Sequence, residues 1–162
     1  MSTDQALTDS IERCYAVFAD YRLPPETTFC GFCYDPEQIE QIRSVPLRQL
    51  DLDLSRLLSW EASDHFESVD VYKHYLPRIL EYLAPPIRGE DIFPEHLFET
   101  LKAHDFPAWP AAEREAFWAY VVAVDHALEA ADPRAAGEWR ICAGKISGSP
   151  YPDVPTEGDQ AT

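Results

Sequence analysis

Residues 68–83 read SVDVYKHYLPRILEYL, and the phase of their apolar side chains decides the fold. Tyr72, Tyr75, Leu76, Ile79, Leu80 and Leu83 recur at i, i+3, i+4, i+7, i+8 and i+11, the spacing of one face of an α-helix. Ser68 stands where its hydroxyl can cap the first turn, and Asp70 follows where the helix dipole favours a carboxylate. Asp70, Lys73, His74, Pro77, Arg78 and Glu81 share the opposite face, which predicts contact with water. Pro77 has no N–H for the carbonyl of Lys73, and its ring crowds that carbonyl. The apolar phase nevertheless runs through the proline. This favours one helix bent at Pro77, with the proline on its convex, solvent side, over two helices with Pro77 opening the second. His74 lies one turn from Asp70, so the pair reads as a surface ion pair, a weak interaction. Its functional counterpart would be an enzyme with a dispersed site near His74.

The same period recurs on both sides of this stretch. Over residues 3–20, Leu7, Ile11, Cys14, Tyr15 and Phe18 form a buried stripe in which Cys14 acts as a small core residue. Pro24 and Pro25 break the pattern. Asp35-Pro36-Glu37-Gln38 then gives a cap, a proline at the first helical position and a Gln three residues after the cap. Ile39 and Ile42 edge this short helix, and Ser44-Val45-Pro46 stops it. In residues 47–62, Leu50, Leu52 and Leu54 alternate, whereas Leu54, Leu57 and Leu58 keep helical spacing; a loop followed by a helix over 52–60 is expected. Pro85-Pro86 stops the central helix. A helix from near Pro94 to His104 places His96, Leu97, Thr100 and Leu101 inward, with Ile92 and Phe93 leading into it. Pro110 opens the longest helix, to about Ala131, with Phe117, Tyr120, Val121, Val124 and Leu128 as its stripe. Ala112, Ala116, Ala119, Ala123 and Ala130 run beside that stripe and allow a neighbour to approach within the usual ~8–10 Å. After Asp132-Pro133, residues 139–146 read as a short strand pair or an irregular return. Residues 149–162 hold three prolines and three acids without a base, and are expected to form a disordered tail. The expected fold is all-α, a single domain over 1–148 of five to seven helices, with room for a minor β hairpin near its C-terminal end.

The formal net charge over 162 residues is −16. A nucleic-acid binder needs Lys and Arg to neutralise phosphates, so that class is disfavoured, as is docking to an anionic membrane. No apolar run reaches the ~18 residues of a membrane span. Residues 1–13, MSTDQALTDSIER, are acidic and amphipathic and lack the basic start and apolar block of a secretion signal, so a cytoplasmic location is expected.

Cys30-x-x-Cys33 is the one chemically suggestive spacing. Two thiolates so placed can fill two corners of a tetrahedral zinc site or form a redox disulfide. Cys14 and Cys142 stand far apart and alone, and the five His, at 65, 74, 96, 104 and 126, include no pair at zinc-ligand spacing. A loop anchored by half-buried cysteines and Phe32 explains the spacing equally. No phosphate loop, dinucleotide fingerprint, His-Glu-x-x-His or Gly-x-Ser-x-Gly occurs. The densest acidic segment is 51–70, where Asp51, Asp53, Glu61, Asp64, Glu67 and Asp70 face one base, Arg56. Trp60 lies within it; Trp60 and Trp109 border acidic or proline-rich loops and are the aromatic candidates for a partner anchor, although a core role fits each.

Residues 18–21, Cys30-x-x-Cys33-x-Asp35-Pro36, Pro46-Leu47-Arg48 and Lys73-His74-Tyr75-Leu76-Pro77-Arg78 together resemble a loose group of uncharacterised bacterial helical proteins. The likeness spans residues 14–83. It implies a helical domain of bacterial origin and carries no catalytic residues. The expected function is an acidic protein-binding or inhibitory module, most concretely an immunity protein neutralising a basic toxin. Asp51, Asp53, Trp60, Glu61, Asp64, Glu67 and Asp70 are its expected partner-binding residues. The alternatives are a zinc- or thiol-dependent module built on Cys30 and Cys33, or the dispersed enzyme site near His74.

Overall fold

The computed structural model describes residues 2–54, 58, 68–85 and 94–152. Among these residues the fold is all-α: α1 (Thr3–Val17), α2 (Pro36–Ser44), α3 (Val69–Leu83), α4 (Pro94–Ala103), α5 (Ala111–Ala131) and α6 (Pro133–Gly144), with 3-10 turns at Leu47–Gln49 and Phe106–Ala108. Each start has a local cause. Ser2 accepts from Gln5 N and Ser68 from Asp70 N. At α2 the Asp35 carboxylate accepts from Gln38 N at 2.8 Å while the Gln38 side chain accepts from Asp35 N at 2.9 Å, a reciprocal capping box with Pro36 at the first position. α1 ends at Val17, so residues 18–20 turn away rather than extend it.

α5 is the long axis of the bundle, with α1 along one flank and α6 on another. Phe117, Tyr120, Val121, Val124 and Leu128 are all buried, as their phase requires, and Ala116 and Ala123 are buried beside them. The α1 contact is close enough for the Cys14 thiol to reach the Ala116 carbonyl at 3.6 Å. Burial pushes the Cys14 thiol up to about 12, so it stays protonated in the core. Trp109 belongs to the core as well. It is 5% exposed, donates its indole N–H to the His104 carbonyl at 2.9 Å, and packs edge-on against Phe106 and Phe18.

Three expectations are corrected. Residues 139–146 form no hairpin, because 133–144 are helical. The Asp132 carboxylate accepts from Arg134 N and Ala135 N, and Pro133 takes the first position, so the pair that ends α5 also restarts a helix. Ala136, Trp139, Cys142 and Ala143 then share one buried face, and Trp139 donates its indole N–H to the Val121 carbonyl at 3.0 Å. Residues 149–152 are not a free tail. Tyr151 is half-buried and its hydroxyl donates to Asp125 at 2.9 Å, where Arg140 also meets Asp125 at 2.7 Å. Gly144 permits this approach, since a Cβ there would sit 3.3 Å from the Pro152 carbonyl. Residues 153–162 lie outside the described residues.

The third correction concerns α3. It is one continuous helix, but Pro77 is buried, not wet, and so is Lys73. The irregular chain between α1 and residue 54 wraps the face that the sequence assigns to water. The Tyr21 carbonyl meets His74 Nδ1 at 3.0 Å, the Leu50 carbonyl accepts from Arg78 Nε at 2.9 Å, and the Ile42 carbonyl accepts from Tyr75 at 3.4 Å.

Lys73 sits at the centre of this arrangement at 5% exposure. Its ammonium meets Glu113 Oε2 at 2.7 Å and the Tyr21 hydroxyl at 3.0 Å, and that hydroxyl donates to Glu113 Oε1 at 2.6 Å. The rings of Trp109 and Tyr21 lie 4.4 Å and 4.9 Å from the nitrogen. Burial opposes the charge on Lys73, but Glu113 and Tyr21 outweigh it and hold the ammonium above its ordinary value. Lys73→Met strands a buried carboxylate and is expected to cost about 3–5 kcal/mol in urea unfolding, most of which a second change, Glu113→Leu, recovers. A single-variant loss below about 1 kcal/mol would show that the pair is peripheral.

Candidate functional site

The acidic segment is described at its two ends. Asp51 Oδ1 accepts from Asp53 N at 2.7 Å and from Leu54 N at 3.4 Å, which caps the helical turn at 52–54. Leu50, Leu54 and Leu58 are buried, while Asp51 and Asp53 are exposed. The leucines thus anchor the segment and turn both carboxylates outward. Asp70 is exposed in the first turn of α3. Trp60, Glu61, Asp64 and Glu67 lie outside the described residues, as does the expected helix over 52–60 except at 52–54 and 58.

Many of the cations are engaged, some inside the fold and others at its surface, and acids outnumber bases by 29 to 13. Lys73 and Arg78 meet Glu113 and Glu81 inside the fold, and Arg140 meets Asp125 and Glu129. Arg48 grips Glu12 through both nitrogens at 2.7 and 2.8 Å and lies over the Tyr15 ring. Arg13 and Arg134 pair with Glu115 and Glu138. Arg43 and Arg114 spend donors on backbone carbonyls. Glu26, Glu37, Glu40, Asp53 and Asp70 are all exposed.

The Cys30–Cys33 turn stands beside the start of α2. The N–H groups of Cys33 and Tyr34 both donate to the Cys30 carbonyl at 3.1 Å, which folds the four residues into one tight turn. Cys30 is half-buried and Cys33 exposed. Tyr34 is buried and packs edge-on against Phe29, which packs in the same manner against Tyr75. The Arg43 guanidinium lies 5.3 Å from the Phe29 ring and donates to the Pro25 and Thr27 carbonyls, so α2 clamps the strand of chain that leads into the turn. The sequence reading makes Phe32 an anchor of this loop. The structure corrects this: Phe29 and Tyr34 are the anchors, and Phe32 at the tip is wholly exposed. Aromatic content alone does not tell these three apart, because a turn has no periodicity.

His74 is held, not exposed to Asp70. A carbonyl can only accept, so Nδ1–H donates to the Tyr21 oxygen, and the ring packs edge-on against Tyr75 at 4.7 Å. The charged residues of the Lys73–Arg78 motif therefore serve the fold, each tying α3 to a distant segment.

Comparisons of the chain with protein-family models, curated proteins and solved structures return no match. No helix among the described residues is long and apolar enough to cross a membrane.

Burial lowers the imidazole of His74 below its ordinary value; the Tyr21 carbonyl opposes that shift and nearby Arg22 adds to it. The unfolded chain then binds the His74 proton more readily than the folded one. Its contribution to stability is present above about pH 6.5 and is lost as pH falls through that value toward the lower folded one. Urea midpoints measured from pH 7.5 to 5 are expected to fall more steeply for the native chain than for His74→Gln. Parallel curves would show that the folded and unfolded chains bind the His74 proton equally, and would overturn this expectation.

Proposed function

We propose that this chain is an acidic protein-binding module that docks on a basic protein and blocks it, most concretely as an immunity protein neutralising a toxin. The observation that carries this reading is the partition of charge. Many cations of the described residues are engaged by carboxylates, Lys73 inside the fold and Arg48 at its surface, and acids outnumber bases so far that the net charge is −16. Such a surface attracts a cationic protein over distances of about a Debye length and speeds encounter. Asp51 and Asp53, set outward by the leucines beside them, and Asp70 at the head of α3 are the described members of the surface that would meet Lys and Arg. Trp60, Glu61, Asp64 and Glu67 complete it in this proposal. Inhibition would be steric: the helical domain covers the partner's active surface, and no chemistry is needed.

The test is co-expression with the product of the adjacent reading frame. Relief of growth arrest, with a complex whose association slows as salt rises, is the expected result. Asp53→Asn with Asp70→Asn should lower the association rate about three- to tenfold at low salt and little above about 0.5 M. A neighbour without toxicity, together with no basic protein that binds, overturns the reading.

The turn at 30–33 favours a second reading, a small zinc- or thiol-dependent module. It brings two cysteines into one turn, with Cys33 open to solvent. Mass spectrometry of the purified protein would show near one equivalent of zinc, lost when Cys30 and Cys33 are both changed to Ser. Below about 0.2 equivalents the zinc reading fails.

A further inference from the structure

Phe32 has a relative exposure of 104%, so its whole ring stands in water. Ile141, at 38%, is the other large apolar side chain exposed among the described residues. A single exposed apolar residue is ordinary on a mobile loop. This one is presented by a loop held from both sides. Upstream, Thr27 N donates to the Pro24 carbonyl at 3.0 Å, and Arg43 binds the Pro25 and Thr27 carbonyls while covering Phe29. Downstream, buried Tyr34 and the capping box at Asp35 lock the chain into α2. The turn between these anchors points Phe32 outward at no gain to the fold.

The segment that carries it is acidic. Residues 23–42 contain Glu26, Asp35, Glu37 and Glu40 and no Lys or Arg. Asp35 and Glu37 follow Phe32 by three and five residues, and at about 3.5 Å per residue the chain cannot carry them far from its ring. Both are exposed. The first cation downstream, Arg43, is turned inward onto Phe29 and the backbone.

We propose that Phe32 is the apolar anchor of the docking surface, and that its occupant is a cationic protein whose apolar socket is rimmed by Lys or Arg. This rests on the reading of the chain as an acidic binding module, and it moves the centre of that surface to the loop before α2. The arrangement suits an interface centre, an aromatic ring that binding would desolvate within a polar rim. The backbone that carries the ring is held before binding, so less ordering cost is left to weaken the complex. Charge selects the occupant. A second copy would set one −16 surface against another, and an anionic membrane would be repelled in the same way.

The test uses the full chain with the photo-crosslinking analogue benzoylphenylalanine at position 32, at position 53, or at position 141, irradiated in the cells that make it. The expected result is a single adduct at position 32 to one basic protein. That protein, purified, should bind the native chain, and Phe32→Ser should weaken binding at least about tenfold with thermal unfolding unchanged within about 2 °C. Phe32→Tyr should keep most of the affinity. Asp35→Asn with Glu37→Gln should flatten the salt dependence. A basic partner captured only through position 53, or bound equally by Phe32→Ser, overturns this inference and leaves the binding module standing. Adducts only to a second copy or to an acidic protein overturn it too. No adduct at any of the three positions overturns both readings.

Discussion

The ammonium of Lys73 is the constraint on which the rest of the structure depends. It lies in a pocket of aromatic rings with one carboxylate and one hydroxyl as partners, and those partners come from segments remote in sequence: Tyr21 just beyond α1, and Glu113 in the first turn of α5. A charge in such a place is tolerated only while every member of the network is present. The interaction therefore acts on register more than on net stability. If α3 slid by a residue against α5, or if the chain after α1 took another course, an ammonium or a carboxylate would be left buried and alone. The second buried acid of α5, Asp125, acts in the same way toward the other flank, holding Arg140 of α6 and Tyr151 beyond it.

With that register set, α3 becomes the hub of the fold instead of a surface helix. Its apolar stripe faces the bundle, His74 and Arg78 of the other face bind the Tyr21 and Leu50 carbonyls, and Tyr75 of the stripe reaches the Ile42 carbonyl through its hydroxyl. These bonds satisfy two carbonyls of irregular chain, Tyr21 and Leu50, and one in the last turn of α2, Ile42, where helical partners run out. They also explain how a non-helical segment can hold the loop at 30–33 firmly enough to display Phe32. Tyr75, Phe29 and Tyr34 form a continuous line of ring contacts from α3 to the foot of that loop.

Most of the helical architecture was legible in the residues, because caps and periodicity are local. The Asp35 capping box, the Ser68 cap and the stripe from Phe117 to Leu128 all stand where spacing places them. The errors have physical causes. Lys73 was assigned to water by its type, yet Val69, Lys73, Leu76, Leu80 and Leu83 share one side of the helix, and Glu113 stands one turn ahead of Phe117 in its stripe. A base and an acid, each in phase with a core stripe, are the signature of a buried pair, and type alone conceals it. The hairpin expected near 139–147 failed because Asp132-Pro133 can restart a helix as readily as end one. The exposure of Phe32 was not legible at all: Phe29, Phe32 and Tyr34 differ only in what tertiary contacts leave for each. The acidic segment is legible as composition, and the structure places Asp51, Asp53 and Asp70 outward at its described ends.

The two populations of charge in this molecule follow from one another. Lys73, Arg78 and Arg140 are held by Glu113, Glu81 and Asp125, which withdraws three cations as counter-charges for the surface. Carboxylates left outside then repel one another, a cost that the fold bears in its unbound state. A surface built in this way gains from any cation brought from outside, and it gains most where an apolar contact also excludes water, because Coulomb attraction strengthens as the local dielectric falls. The loop before α2 satisfies both conditions at once, with an exposed ring in an acidic segment and with Arg43 bound to the Pro25 carbonyl. The interior ion pairs and the proposed docking surface are linked in that sense: cations held by the first are not there to neutralise the second.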